Sequence, residues 1–152
     1  RIRPGDDLGD HWQVVAGKPC VAEGFVTFSH EFSVILVRGQ DGEIRFWDTP
    51  HNVHDDGILA ISTAPAPEAI LQQQEAARAL AARMAEAMAY VGGLPLGDTG
   101  LAAKKVEMHN LIGDQADDWQ ALLADGTNHL HLYGKGETRP GRKMGHVTKT
   151  YF

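Results

Sequence analysis

The sequence predicts a mixed α+β fold, in which an antiparallel sheet accompanies one long helix. Short apolar runs that alternate or are rich in β-branched residues recur between Gly, Pro and Asp turns, as in Phe32–Val37 and Glu43–Trp47. One stretch, Pro67–Val91, instead places apolar residues at helical spacing and is rich in alanine. Strand-like runs resume after this stretch, and the chain contains no internal repeat.

The segments before the long helix are predicted from alternation and turn composition. In chain order we expect a loop over residues 1–13, a short strand over Cys20–Val26, a buried strand over Phe32–Val37, its hairpin partner at Glu43–Trp47, a polar loop over His51–Gly57 and a strand over Ile58–Ala64. The Asp41-Gly42 pair marks the hairpin turn.

The long helix should begin near an N-cap at Ser62 or Thr63, and its methionines, Met84 and Met88, should fill the core. Gly92 suits the position just after the helix. The remaining elements are predicted as a strand over Lys104–Ile112, a short helix over Asp117–Leu123 and strands over His129–Tyr133 and His146–Phe152.

Cations are concentrated near the end of the chain, in a segment that we call the basic loop, residues 134–143. It carries Lys135, Arg139, Arg142 and Lys143, which only Glu137 opposes, on a frame of glycines and a proline. Glycine allows the backbone to approach a ligand closely, and Arg offers a two-pronged donor to phosphate or carboxylate. An anion site and a solvated hairpin tip fit this spacing equally well.

Composition excludes several function classes. The net charge is −6, which argues against binding of nucleic acid by a broadly basic surface. No apolar run is long enough to span a membrane, so no membrane partner is expected. The single cysteine, Cys20, forms no internal disulfide, and a cytoplasmic location is expected.

Two glutamates lie where a carboxylate needs a partner. Glu23 interrupts an apolar run, and Glu31 precedes the next one. Glu31 could accept hydrogen bonds from a ribose diol while the backbone of Glu23–Val26 faces an adenine; two ordinary strand-end glutamates are the alternative. The histidines and aspartates of His51–Asp56 match no zinc spacing, so we prefer a polar loop with one ligand-facing histidine.

Four motifs together resemble one family. They are CVAEGFVTFSHEFSV at Cys20–Val34, HNVHDDGIL at His51–Leu59, MHNLIGD at Met108–Asp114 and HLHLYGKGETRPGRKMGHVT at His129–Thr148. Their sequence and order resemble the 5-(carboxyamino)imidazole ribonucleotide synthases, ATP-grasp ligases of purine biosynthesis. The resemblance covers nearly the whole chain, and the last motif is the most specific.

The resemblance implies ATP-dependent carboxylation of aminoimidazole ribonucleotide with bicarbonate through carboxyphosphate, with Mg²⁺ and a homodimeric assembly. It implies an adenosine-gripping part of the ATP-grasp domain at residues 1–92, and the end of that domain plus a C-terminal β-rich domain at residues 93–152. For the nucleotide, the resemblance implies that Glu23, Gly24, Phe25 and Val26 contact the adenine, that Glu31 binds the ribose and that His54 makes a further contact. For the substrate, it implies that Lys135 and Arg142 clamp the 5′-phosphate, and that Arg139 and Lys143 support this clamp.

The sequence departs from the family pattern in its centre. Tyr90-Val91-Gly92 should lead into a segment that carries the Mg²⁺-binding and bicarbonate-site residues, but Gly93-Leu94-Pro95 follows directly. We therefore assign no catalytic residue and no metal ligand, and we do not expect these residues alone to catalyse. We expect Gly92 and Gly93 to lie much farther apart than the roughly 3.8 Å between bonded Cα atoms.

Three other functions stay open at this point. The chain could belong to another ATP-grasp carboxylate–amine ligase. It could also be a non-catalytic module that binds a phosphorylated small molecule. RNA binding by the basic loop is a weaker alternative, because the acidic balance and the absence of a run of exposed aromatics near that loop argue against it.

Overall fold

The computed structural model describes residues 2–16, 18–21, 23–88 and 96–152. Its elements are α1 (Leu8–Val15), β1 (Glu31–Phe32), β2 (Leu36–Arg38), β3 (Ile44–Phe46), β4 (His51–Asp55), β5 (Ile58–Ala64), α2 (Glu68–Glu86), β6 (Lys105–Ile112), a 3-10 turn (Gly113–Ala116), α3 (Trp119–Ala124), β7 (Asn128–Leu132) and β8 (Lys143–Tyr151). Within these residues no helix is both long and apolar enough to cross a membrane.

Six strands form one antiparallel sheet in the order β1-β4-β5-β6-β8-β7. The pair β5–β6 joins strands from the two sides of the predicted boundary at residues 92/93. The remaining strands, β2 and β3, form the separate hairpin that Asp41-Gly42 predicted. The α+β prediction is confirmed, as are strand β5 and the existence of the last two strands, although β8 begins at Lys143 and not at the predicted His146.

One cluster of buried apolar residues lies where the 3-10 turn and α3 cover one face of the sheet. Leu111 of β6 and Val147 of β8 are buried there, together with Ala116 and Met144. Leu130 packs against this cluster. Leucines and histidines alternate along β7, so Leu130 faces this cluster and the histidines face the other side of the sheet. Leu132 lies on the same side as Leu130 but is 44% exposed.

Two predicted loops form regular structure. Residues 8–15 are helix α1, because Asp7 caps it by accepting a hydrogen bond from Gly9 N at 2.7 Å. The predicted polar loop at His51–Gly57 is strand β4 followed by a two-residue turn. Asp56 and Gly57 both have positive φ, at 46° and 76°, which suits the turn that joins β4 to β5.

Two predicted strands are wrong in extent. The described residues of Cys20–Val26 form no strand, and they are exposed. Phe32–Val37 is not one buried strand, because β1 ends at Phe32, β2 begins at Leu36, and Ile35 between them is 48% exposed. Side-chain composition alone overestimated burial here, since β-propensity depends on neighbouring strands.

The long helix is confirmed, but its N-cap, its last residue and the burial of its methionines differ from the prediction. Its N-cap is Pro67 rather than Ser62 or Thr63, which remain in strand β5. Met84 and Met88 do not fill the core; they are 62% and 70% exposed. The helix also ends earlier than the predicted Val91: its last residue is Glu86, and Ala87 is its C-cap. Residues 89–95 lie outside the described residues, so the separation of Gly92 and Gly93 remains a prediction.

Candidate functional site

The predicted site residues come from strand ends that meet at one end of the sheet. Because all the strand pairs are antiparallel, the start of β1 (Glu31), the end of β4 (His54) and the start of β8 (Lys143) share that end. Strand β8 is four strands from β1 in the sheet order, a lateral separation of about 19 Å. This span leaves room for two ligands side by side.

Glu31 and His54 are in direct contact. Oε1 of Glu31 lies 3.2 Å from Nδ1 of His54, and both side chains are partly exposed. Glu31 is paired with Asn52, so His54 lies two residues farther along the neighbouring strand β4. The structure therefore brings together the two residues for which we predicted ribose and nucleotide contacts.

A buried polar network holds the strand that carries His54. Asn52 is 7% exposed and donates a hydrogen bond from Nδ2 to Ser33 Oγ at 2.8 Å. Its Oδ1 accepts a hydrogen bond from Ser62 at 2.9 Å. These bonds connect β4 to β5 and to the chain after β1, so they fix the strand beside the Glu31–His54 pair.

The segment for which we predicted adenine contacts lies outside the sheet. Glu23–Val26 is an exposed stretch, in which Phe25 and Val26 are 71% and 70% exposed. It precedes β1, so it reaches the sheet from the edge where Glu31 lies. Its role in binding adenine remains a prediction.

The backbone of the basic loop is held by the 3-10 turn. Gly113 N donates to Arg142 O at 2.9 Å, and Arg142 N donates to Arg139 O at 3.0 Å. Gly134, Gly136 and Gly141 have positive φ, a conformation that glycine adopts without strain. The loop is therefore a shaped frame and not a simple extension of the two strands.

The cations of this loop have different partners within the protein. Lys135 donates from Nζ to Lys143 O at 2.9 Å. Arg142 makes a long contact of 3.5 Å to Glu137 O, and Arg139 lies 4.0 Å from the Glu137 carboxylate. Convergence of Lys135 and Arg142 on one phosphate therefore remains a prediction.

A cavity of about 470 Å³ separates the two groups of predicted residues. Asp55 and Asp56, directly after His54, line one side, and Gly141, beside Arg142, lines the other. His109 and Asn110 of β6 complete its wall between them. The cavity thus extends from the residues that directly follow His54 to Gly141 of the basic loop.

His146, for which no role was predicted, belongs to an aromatic group beside the basic loop. Its ring stacks on His131 with centroids 5.2 Å apart, and its Nδ1 lies 2.8 Å from the Tyr133 hydroxyl. Burial, together with His131 and Lys143, lowers the pKa of His146, which favours the neutral ring. The alternate positions of His131 and Tyr133 along β7 were the sequence feature that could have indicated this aromatic group.

The described residues contain no cluster of side chains that could hold a metal ion by themselves. Among residues 2–16, 18–21, 23–88 and 96–152, no group of three or more His, Cys, Asp or Glu side chains is placed to do so. In nucleotide sites Mg²⁺ is held by one or two carboxylates together with phosphate oxygens and waters.

A family model of the ATP-grasp domain matches residues 1–96, which is more than half of the chain. The chain belongs to the ATP-grasp family. A second family model, that of the phosphoribosylaminoimidazole carboxylase C-terminal domain, matches residues 107–151 of this ATP-grasp chain. The predicted ATP-grasp fold is confirmed, and the C-terminal match includes the basic loop.

This ATP-grasp chain is similar to N5-carboxyaminoimidazole ribonucleotide synthase of Brucella melitensis, with 36% identity over 86% of this chain and 49% of the relative. It is also similar to the solved N5-carboxyaminoimidazole ribonucleotide synthetase of Thermus thermophilus, with 32% identity, a TM-score of 0.79, and coverage of 93% and 51% of the two chains. The synthase from Aspergillus clavatus complexed with ATP gives 25% identity, a TM-score of 0.74, and coverage of 95% and 51%. The predicted resemblance is confirmed.

The chain spans about half the length of the relatives that it matches. The alignment with the Brucella relative runs over 178 residues, more than the 152 of this chain, so the relative contains residues there that this chain lacks. This agrees with the central segment that the motif order predicted to be missing, although the alignment length does not give its position.

Proposed function

We propose that the protein containing this chain is a ligase that uses ATP to carboxylate aminoimidazole ribonucleotide with bicarbonate. The observation that carries this proposal is the cavity bordered by the residues after His54 on one side and by Gly141 of the basic loop on the other. The names of the relatives support the same reaction. A site with two anionic ligands side by side is what this reaction requires.

In this proposal the two groups of residues at this end of the sheet each bind one ligand. The carboxylate of Glu31 accepts hydrogen bonds from the ribose hydroxyls of ATP, beside His54, while the backbone of Glu23–Val26 faces the adenine. Lys135 and Arg142 bind the 5′-phosphate of the ribonucleotide, with support from Arg139 and Lys143. The two ligands then approach each other across the cavity, and positioning supplies much of the rate enhancement.

The proposed reaction has two steps. A bicarbonate oxygen takes the γ-phosphoryl group of ATP, which releases ADP and gives carboxyphosphate. The exocyclic amine then attacks the carboxyl carbon, loses a proton, and expels inorganic phosphate. Cations that hold the substrate phosphate keep the amine in place during the second step, which needs no protein nucleophile.

Turnover tests this function directly. We expect ATP to be cleaved to ADP and phosphate only when both aminoimidazole ribonucleotide and bicarbonate are present, with the carboxylated ribonucleotide as product. Cleavage with another amine in place of the ribonucleotide would identify a different ATP-grasp ligase. Binding of the ribonucleotide without any cleavage would instead identify a non-catalytic module.

Glu31→Gln should weaken ATP binding by about 1–3 kcal/mol, because the amide is a poorer acceptor for the ribose hydroxyls than a carboxylate. The affinity for the ribonucleotide should change little. Titration calorimetry with each ligand measures both. Glu75→Gln is the matched control, since Glu75 lies on α2 and its side chain is 87% exposed. An ATP affinity that is unchanged by Glu31→Gln would remove Glu31 from the nucleotide site.

We also propose a cytoplasmic location and a homodimer, which the family resemblance implies. The thiol of Cys20 is exposed and not in a disulfide, as is common in a reducing compartment. Sedimentation of the purified protein measures the assembly state.

A further inference from the structure

The ammonium group of Lys135 lies over an aromatic ring. Its Nζ is 5.2 Å from the centroid of the Tyr133 ring, within the range of a cation–π contact. The same atom donates a hydrogen bond of 2.9 Å to Lys143 O. A lysine side chain that is otherwise exposed is therefore held in one place by two contacts.

Tyr133 is held by contacts of both its backbone and its side chain. Its backbone N donates to Met144 O at 2.9 Å, which extends the β7–β8 pairing by one residue. Its ring centroid lies 5.7 Å from that of His131 and 5.7 Å from that of His146. Its hydroxyl lies 2.8 Å from Nδ1 of His146, and His146 stacks on His131 with an interplanar angle of 17°. The ring therefore contacts a histidine of each strand, His131 of β7 and His146 of β8.

We propose that Tyr133 is a positioning residue for Lys135 in binding the phosphate of the substrate. This inference rests on the proposed function, in which Lys135 contacts that phosphate. A free lysine loses side-chain entropy when it binds a ligand, and a lysine that is already held loses less. Tyr133 thus prepares the cation for the phosphate without touching the ligand.

The same sheet offers a matched control in Tyr151. Lys105 lies 5.1 Å from the centroid of its ring, and its hydroxyl donates to Glu107 at 2.8 Å. Tyr151 is the last residue of β8, so it lies at the opposite end of that strand from the basic loop. If the effect depends on proximity to the phosphate, substitution of Tyr133 should lower the affinity for the ribonucleotide, and substitution of Tyr151 should not.

The test measures the affinity for aminoimidazole ribonucleotide by calorimetry in the protein that contains this chain. Tyr133→Leu should weaken that affinity about fivefold, as expected for loss of an exposed cation–π contact. Tyr133→Phe keeps the ring under Lys135 and should recover most of the affinity. ATP affinity should stay constant in both variants, and Tyr151→Leu should leave both affinities unchanged. Equal losses in Tyr133→Leu and Tyr151→Leu would overturn the inference.

A double-mutant cycle separates this inference from the proposed function. In a Lys135→Ala background, Tyr133→Leu should cause no further loss, because the cation that it positions is gone. If the two losses multiply instead, Tyr133 does not act through Lys135, and the proposed function stands. If Lys135→Ala alone leaves the affinity for the ribonucleotide unchanged, Lys135 does not bind the phosphate. In that case both the proposed role of Lys135 and this inference are wrong.

One measurement needs no substitution and covers the case in which a variant does not fold. In the NMR spectrum of the wild-type protein, the ε-methylene protons of Lys135 should be shifted upfield by the ring current of Tyr133. Lys18, which is exposed and lies just after α1, is the reference lysine. Equal shifts at Lys135 and Lys18 would overturn the inference.

Discussion

Arg142→Ala should raise the KM for aminoimidazole ribonucleotide about 10- to 100-fold. A hydrogen bond to a charged group contributes about 1.5–3 kcal/mol, and each 1.4 kcal/mol is about tenfold in affinity. The backbone of Arg142 accepts a hydrogen bond from Gly113, whereas among the described residues its guanidinium makes one long contact, of 3.5 Å to Glu137 O. The substitution should therefore remove ligand contacts and leave the fold in place.

Variants of the same site and of a remote one sharpen this prediction. Arg142→Lys should recover only part of the loss, because an ammonium group lacks the planar donor fork of arginine. Arg83→Ala removes the same charge from an exposed position on α2 and should not change the KM for the ribonucleotide. Steady-state kinetics with each substrate varied separately measures these effects. The assignment is wrong if Arg142→Ala abolishes ATP binding and spares the ribonucleotide.

Gly145→Ala should destabilise the protein by about 3 kcal/mol, at the upper end of the range for overpacking. A Cβ atom at Gly145 would lie 2.5 Å from the carbonyl oxygen of His131 and 3.1 Å from a methyl group of Leu132. The first of these atoms is backbone, so it cannot turn aside, and the β7–β8 pair would have to separate. Because Tyr133 follows Leu132 directly in the chain, the affinity for the ribonucleotide should fall as well.

Chemical denaturation compares the free energies of unfolding of wild type and variant. Gly126→Ala is the matched control, since a Cβ there would meet no atom within 4 Å. That change should stay within about 0.5 kcal/mol of wild type. A Gly145→Ala protein as stable as Gly126→Ala would show that β7 and β8 are farther apart than the described geometry.

Much of the local structure was predictable from spacing along the chain. The Asp41-Gly42 pair and the alternation in Glu43–Trp47 were enough for the β2–β3 hairpin, and alanine-rich helical spacing was enough for α2. The turn at Asp56-Gly57 carries the same signal as Asp41-Gly42, and it could have predicted β4 as well. Predictions from these features succeed because turn conformation and side-chain periodicity depend on residues close in sequence.

The α+β class, the family resemblance and the alternation that turns His131 and Tyr133 away from the core all follow from the order of residues in the chain. The identity of neighbouring strands does not, and it is this pairing that brings Glu31, His54 and the basic loop to one end of the sheet. Only the tertiary structure shows the contact between His146 and Tyr133 and the exposure of Met84. Pairing between distant strands and the covering of a helix face depend on long-range contacts, which the spacing of residues along one segment does not specify.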